Sequence, residues 1–457
     1  MIEDAVPRPY WLDQPGAPAP RPPLDGVVDA DLLVVGGGLT GLWAALQAAE
    51  AGKQVVLLEG ETLAFGASGR NGGFCAATLT HGLENGLARW PEEIATLERL
   101  ARENFDGIRT TVTEHGIDCG WEETGTIDVA TAVHELPWLA EGAEQLRRHG
   151  WDAEVLDADA VRAQVDSPTY VGGVLSRDGC ALVDPARLCW GLALASEAAG
   201  ATICEATPVT SLAPDGAGVR AATPGGSVRA RYALLATSAF PPLVRAIRRY
   251  VVPVYDYVLV TEPLSEAQRD AIGWRGRQGL SDLANQFHYY RQTADNRILW
   301  GGYDAIYDFG GRVVPERDQR PATFALLAEH FRATFPQLDG IRFSHRWGGA
   351  IDTCTRFAPM WGRALDGRAI FVVGFTGLGV GSSRFGARVG LDLLEGADTE
   401  RTRLEMVRRR PLPFPPEPAR WAGIQLTRRA LARADKQGGR RGPWLRTLDR
   451  LGLGFDS

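Results

Sequence analysis

The residues with the clearest chemical meaning are Gly36, Gly38 and Gly41, spaced Gly-x-Gly-x-x-Gly within Asp31-Leu-Leu-Val-Val-Gly-Gly-Gly-Leu-Thr-Gly-Leu42, together with Glu59 at the end of the next apolar run, Gln54-Val-Val-Leu-Leu58. Gly36 permits a tight turn, Gly38 lets the backbone approach a pyrophosphate, and Gly41 lets a helix lie close on the preceding strand. The first amides and the positive dipole end of that helix face the phosphates. Glu59 supplies an acceptor for ribose hydroxyls, and its charge repels a 2′-phosphate. Glycine turns are common by themselves. The flanking strand, helix, second strand and acidic residue are what make this one a dinucleotide site.

Composition sets the frame for these elements. A chain of 457 residues, 45% hydrophobic and 23% charged, buries a large core and predicts two domains. Its net charge of −7 argues against nucleic acid as the main partner. No segment approaches the ~18 consecutive apolar residues of a membrane span. The acidic, then proline-rich start (Pro7 to Pro23) has no signal-like apolar stretch and reads as an extended strap or a disordered lead. Six cysteines (Cys75, Cys119, Cys180, Cys189, Cys204, Cys354) show no Cys-x-x-Cys and no Cys/His ligand spacing. They are expected to be reduced, mostly buried thiols of a cytoplasmic protein that holds no metal.

Further along, 91–114 and 135–149 read as helices around a short β segment, Gly125-Thr-Ile-Asp-Val129. Val183-Asp-Pro-Ala opens a helix that ends near Gly200, and Arg231-Tyr-Ala-Leu-Leu-Ala-Thr-Ser-Ala239 follows a strand pair. Residues 250–310, rich in aromatic and β-branched types, predict an antiparallel sheet. A helix near 322–335 leads to His345-Arg-Trp-Gly-Gly349, and the strand Ala369-Ile-Phe-Val-Val373 runs into Gly374-Phe-Thr-Gly-Leu-Gly-Val-Gly381 and a helix. The last ~50 residues are arginine-rich with proline breaks and read as peripheral helices; Arg408-Arg-Arg410 reads as a solvated face.

Val34-Val-Gly-Gly-Gly-Leu-Thr-Gly41, Gly66-Ala-Ser-Gly-Arg-Asn-Gly-Gly73, Val183-Asp-Pro-Ala186, Leu235-Ala-Thr-Ser238, Trp347-Gly-Gly349 and Gly374-Phe-Thr-Gly-Leu-Gly379 follow one another in an order and spacing that resembles the D-amino-acid-oxidase superfamily of FAD-dependent amine oxidoreductases. The resemblance covers about 27–400, and Gly66–Gly73 is most similar to its gamma-glutamylputrescine oxidoreductase branch. It implies an α/β fold, in part α+β: a discontinuous Rossmann-type FAD domain (27–90, 165–240 and 345–400) and an antiparallel-sheet substrate domain (91–164 and 241–344). A Pro-rich arm (1–26) and an Arg-rich helical extension (401–457) flank them. The implied cofactor contacts are Gly36, Gly38, Leu39, Thr40, Gly41, Glu59, Gly60, Ser68, Arg70, Asn71, Gly72, Gly73, Val209, Thr237, Gly374, Thr376, Gly377, Leu378, Gly379 and Val380. Read alone, 66–73 is a Gly-rich connecting loop and 374–381 a tight strand-to-helix turn. After a dinucleotide turn, the first reads as pyrophosphate or flavin-edge donors and the second as a backbone nest facing the flavin N1–C2=O edge.

The implied chemistry is hydride transfer from a C–H next to nitrogen to flavin N5, giving an imine that hydrolyses. Such a site needs positioning groups and an apolar wall more than acid–base machinery. His288, Tyr290 and Trp347 are the catalytic expectation, and Tyr255, Tyr257 and Asp352 the substrate-binding one, although aromatics alternating in a sheet also simply fill cores. Relatives of the glycine-oxidase type clamp the substrate carboxylate with an arginine four residues after the tryptophan; here Ile351 stands there. Relatives of the sarcosine-oxidase type use a lysine after the second glycine motif; here it is Gly381. A carboxylate beside the flavin would be uncompensated, so a primary or secondary amine of polyamine type is expected. Cysteine and histidine attachment points are missing at Gly349 and at Gly69 or Arg70, so FAD is expected to bind non-covalently. Related oxidases place a lysine over the flavin to assist reaction with oxygen. Here the only lysines are Lys53, at the end of the first helix, and Lys436, in the C-terminal tail, neither expected near the ring, so oxygen and another electron acceptor both stay open. Three alternatives stay open: an amino-acid oxidase clamping through Arg291 or Arg356, a flavin-dependent monooxygenase, and a non-catalytic flavoprotein subunit with a partner at the C-terminal tail.

Overall fold

A computed structural model describes residues 2–453; Met1 and 454–457, the ends of the predicted arm and extension, lie outside the described residues. The apolar run at 31–35 forms the end of the strand Gly26–Val35, which lies between parallel neighbours Gly226–Leu235 and Val55–Leu58. Thr202–Cys204, Ala369–Val373 and Met360–Ala364 complete the path of this first sheet, with the last pair antiparallel. Pleat alternation divides its core. Leu32, Val34, Val55 and Leu57 pack in the cluster that contains the helix Leu39–Glu50, while Leu33, Val35, Val56 and Leu58 pack with Val219, Ala221 and Val228 on the other face.

The second sheet runs Phe343–Thr353, Val252–Thr261, Ile298–Gly302, His288–Gln292, Gly279–Asp282, Thr126–Ala130, Gly172–Ser176, Ala153–Asp157. It is antiparallel apart from the pairing of Gly279–Asp282 with Thr126–Ala130. Two segments sit in a different layer from the one the sequence suggests. Phe343–Thr353 pairs along nearly its whole length with Val252–Thr261, and Gly172–Ser176 pairs with Thr126–Ala130 and Ala153–Asp157. Both therefore belong to the substrate sheet, and the return to the first sheet comes at Cys354. One face of this sheet is covered by the helix Pro321–Thr334, through Phe324, Leu327 and Phe331. The other face is turned toward the first domain.

The N-terminal arm is a strap. Val6 donates to Ser344 O at 2.8 Å and accepts from Arg346 at 3.0 Å, adding to the edge of the second sheet. Trp11 is buried and donates to Asn71 O at 2.8 Å, and Arg21 pairs with Glu197. Asp184 caps the helix Pro185–Ala198 by accepting from Ala186 and Arg187, each at 3.0 Å. Among the described residues no helix is long and apolar enough to cross a membrane.

A Cβ on Gly41 would run into the Gly36 carbonyl. Gly41→Ala is therefore expected to cost about 3 kcal/mol of stability through overpacking and to release the bound dinucleotide, as read by thermal unfolding and by the cofactor retained after gel filtration.

Candidate active site

The first turn forms as its glycines demand. Gly36 has a φ of 112°, its amide donates to Leu58 O at 2.9 Å, and a Cβ there would stand 2.6 Å from Ala236 O and 3.6 Å from Thr237 N. In the first helical turn the amides of Thr40 and Gly41 have no preceding helical carbonyl to accept them. Leu39 donates to Ser68 Oγ at 2.9 Å, tying the helix start to the next loop. Glu59 lies alongside: Oε2 accepts from Gly37 at 2.5 Å and Oε1 from Glu61 at 2.9 Å, while burial pushes its carboxyl up from the ordinary range. Gly60 rests on Pro208, next to Val209, which packs half-buried on the core of that sheet face. Open helix-start amides, an approach without side chains and an adjacent acceptor fit the pyrophosphate and ribose of FAD.

Gly66–Gly73 is held from within. Asn71 Nδ2 donates to Ala67 O (3.0 Å) and Ser68 O (2.9 Å), and its Oδ1 accepts from Gly73 at 2.8 Å. Arg70 donates to Phe65 O (2.8 Å) and Gly348 O (2.9 Å) and pairs with Asp318. Both side chains border the cavity but brace the loop. Gly72 lies against the Tyr289 ring, 2.8 Å from where its Cβ would be, and Gly73 has a φ of 76°. The second motif has three left-handed positions, Gly374 (87°), Thr376 (52°) and Gly377 (96°), with open space where a Gly377 side chain would stand; Gly379 lies on Phe375. That open, side-chain-free nest suits a flat ring edge.

Between these loops and the second sheet lies a cavity of about 1860 Å³. Thr376, Gly377, Leu378, Val380, Ile351 and Cys354 border it on one side, and Val254, Asp256, Tyr289, Ser281 and Asp128 form its floor. Tyr289 Oη donates to Asp256 Oδ2, and Asp256 Oδ1 accepts from Tyr257 at 2.8 Å. Burial pushes the Asp256 carboxyl up to about 6 and the Tyr289 phenol well above its ordinary value. His81, at a left-handed φ of 61°, sets its ring against Phe357 at the cavity wall, and burial pulls its pKa down to about 4, so it is neutral at physiological pH.

The expected catalytic residues face elsewhere. On His288–Gln292 the pleat sends His288 and Tyr290 to the helix-covered side. His288 Nδ1 meets Asp282 at 2.6 Å and Nε2 meets His330 at 2.9 Å; Tyr290 Oη meets Tyr170 Oη at 2.7 Å against Trp300. Tyr257 packs on Phe324 beneath the same sheet; Tyr255, stacked on it, donates through Oη to Val314 O at 3.4 Å and also borders the cavity. Trp347, on the substrate sheet, is buried in the apolar cluster that this sheet shares with the helices of the first domain, and it donates to Arg70 O at 2.9 Å. Asp352 is 3% exposed and accepts from Gly374 at 2.6 Å, so it holds the second motif rather than a substrate. Tyr289 and Asp256, which do border the cavity, are not among the residues the sequence singles out, and the signal was one of parity. Each is the immediate neighbour of a residue that was named, and successive strand residues face opposite sides.

The two substituted clamp positions have structural reasons. Ile351 presents an apolar side chain to the cavity, and a Cβ on Gly381 would collide with Ala76 O, so no side chain fits there. Arg291 donates to Val183 O at 2.8 Å and Gly73 O at 3.3 Å, and burial lowers its pKa to about 10; Arg356 is bonded to the carbonyls of Ala358, Pro359 and Arg409. Neither borders the cavity. Cys75 is buried in the core, and Cys354 Sγ donates to Ala358 O at 3.2 Å. Lys53 pairs with Glu395, and Lys436 is exposed.

Comparison with known proteins follows the same outline. The model of the family described as DAO, FAD dependent oxidoreductase, matches residues 31–393. Gamma-glutamylputrescine oxidoreductase of Escherichia coli K12 is 32% identical over 398 residues, 86% of this chain and 89% of that protein. A probable oxidoreductase, OrdL, of Haemophilus influenzae is 29% identical over 399 residues, with the same coverage. Among solved structures, glycine oxidase from Geobacillus kaustophilus superposes with a TM-score of 0.69 at 21% identity, covering 82% of this chain and 96% of its own. It shares the fold.

Asp352→Ala removes a buried acceptor of the Gly374 amide. A loss of about 2 kcal/mol is expected, with weaker FAD retention, both read by thermal unfolding followed through flavin fluorescence; Asp352→Asn keeps one acceptor and should lose less.

Proposed function

Because this chain belongs to the DAO family of FAD-dependent oxidoreductases, we propose that it oxidises the C–N bond of a primary or secondary amine that carries no carboxylate beside the reacting carbon. The observation that carries this reading is the cavity at the flavin-side loops, with Ile351 at one clamp position, no room for a side chain at the other, and Arg291 and Arg356 committed to backbone carbonyls. An α-carboxylate there would have Arg70 as its neighbour, and Arg70 is already paired with Asp318. An uncompensated buried carboxylate costs several kcal/mol.

Bound non-covalently, FAD supplies the hydride acceptor at N5. The chain's own residues align the amine and manage its proton. Tyr289 Oη, with its hydrogen committed to Asp256, turns its lone pairs to the cavity and accepts from the substrate N–H. Asp256 takes the proton that the ammonium must lose before the C–H bond can break. Ile351 and Val254 exclude water from the reacting carbon. The buried, unpaired cysteines fit a reducing compartment, from which we infer a cytoplasmic enzyme.

Anaerobic mixing of the purified holoenzyme with amines and amino acids, read as bleaching of the flavin band, tests this. Bleaching by gamma-glutamylputrescine and polyamine derivatives, but not by glycine, sarcosine or D-amino acids, is expected; bleaching by these α-amino acids would refute the missing-clamp argument. Readmitting air then shows whether oxygen is the acceptor. Asp256 is neutral below about 6 and charged above. The bleaching rate should therefore rise with pH through that value, and Asp256→Asn should abolish this limb. Tyr289→Phe should slow bleaching by about tenfold to a hundredfold. His288→Gln, on the opposite face of the strand, should lower the melting temperature while keeping the rate within about threefold, consistent with a group whose role is packing.

A further inference from the structure

The family match ends at residue 393, but the cavity does not. Leu412 to Pro415 and the helices Ala419–Lys436 and Pro443–Arg450 form a further wall. On the first of these helices the cavity-facing positions are Ala419, Arg420, Gly423, Ile424, Thr427, Arg428 and Leu431, the three-and-four spacing of a single helical face. This is a docked wall, not a peripheral tail. Asp435 accepts from the amides of Asn285 (3.0 Å) and Gln286 (3.1 Å) at the turn between two strands of the substrate sheet. Glu417 accepts from Tyr307 Oη at 2.6 Å, and Arg89 donates to Gly452 O at 2.8 Å. Leu431, Ala434 and Leu445 give the two helices a core of their own, and Trp444 Nε1 donates to Thr427 Oγ1 at 2.9 Å.

Among the described residues, one charge on this wall has no counterpart. Of the arginines bordering the cavity, Arg70 pairs with Asp318 and Arg441 with Asp449, and Arg420 donates to Pro415 O beside Glu417 and Tyr307. Arg428 is half-buried, borders the same space, and makes no hydrogen bond or ion pair among the described residues. Glu141 on the facing helix Leu136–Arg148 also borders the cavity and is not paired with it. A half-desolvated guanidinium presents a planar fork of donors that matches a carboxylate in two-point contact.

We infer that the C-terminal segment 412–453 is the specificity wall of the cavity and that Arg428 binds a carboxylate at the far end of the amine substrate. The inference rests on the amine reading above and narrows it. The cation that is missing beside the flavin reappears on the far wall, so the preferred substrate is an amine whose anionic group is separated from the reacting carbon by an extended chain.

The test is anaerobic flavin bleaching of the holoenzyme by three probes: ω-amino acids of increasing length, gamma-glutamylputrescine, and alkylamines of matched length with uncharged ends. Each is titrated against wild type, Arg428→Gln and Arg428→Lys. The wild type should favour amines with a far carboxylate. Arg428→Gln should raise their half-saturating concentration by about tenfold or more, the loss expected for a charge-assisted hydrogen bond, and leave the uncharged amines unchanged. Arg428→Lys should recover part of the loss, and equal melting temperatures should show that all three proteins are folded. Bleaching by amines irrespective of a far carboxylate, or an Arg428→Gln effect that is absent or equal on both series, overturns this inference and leaves the amine reading standing. Bleaching by no amine overturns both.

Discussion

The geometry of this enzyme depends on one buried carboxylate. Asp352 ends a long edge strand of the substrate sheet, yet its side chain accepts from Gly374 in the loop that leaves the last parallel strand of the FAD sheet, with the Phe375 and Thr376 amides adding to the same acceptor. Burial pushes that carboxyl up to about 6, so it is costly to charge, and the converging amides are what make the site tolerable. The contact fixes the loop facing the flavin edge relative to the sheet that faces the substrate. Trp347 to Arg70 O, Arg70 to Gly348 O and Arg291 to Gly73 O cross the same boundary. The space between the sheets is thus a framed cavity, not a gap between independent domains.

That frame explains which parts of the site the sequence revealed. The dinucleotide turn is local: strand, glycines, helix and Glu59 lie within thirty or so residues, and each residue's type follows from a backbone constraint that can be read off one segment. The two glycine-rich loops were legible for the same reason. The roles of Asn71 and Arg70 were not, because their partners, the loop's own carbonyls and Asp318, become visible only once the chain is folded.

The catalytic face turned on something weaker. Val252–Thr261 and His288–Gln292 contain aromatic or apolar residues at most positions, so their alternation does not declare which side is buried. The helix Pro321–Thr334 decides it by covering His288, Tyr290 and Tyr257, and leaves Tyr289 and Asp256 to the cavity. The C-terminal helices were misread for a related reason. The arginines of Ala419–Lys436 are split between its faces, Arg429 and Arg433 to solvent and Arg420 and Arg428 to the cavity, so composition does not reveal the short, mixed stripe from Gly423 to Leu431. Only contacts far away in sequence, such as Asp435 with Asn285, seat it on the site.

The central claim is that chemistry takes place on the Tyr289–Asp256 face of the substrate sheet, beneath the Gly374–Val380 loop. The most direct measurement is a crystal structure of the FAD-loaded enzyme with a bound, unreactive amine. The account predicts the flavin ring between Gly72, the Gly377 nest and Tyr289, with the amine nitrogen at hydrogen-bond distance, about 3 Å, from Tyr289 Oη. An amine nitrogen bound beyond reach of both Tyr289 and Asp256, and held instead by another group, would contradict it.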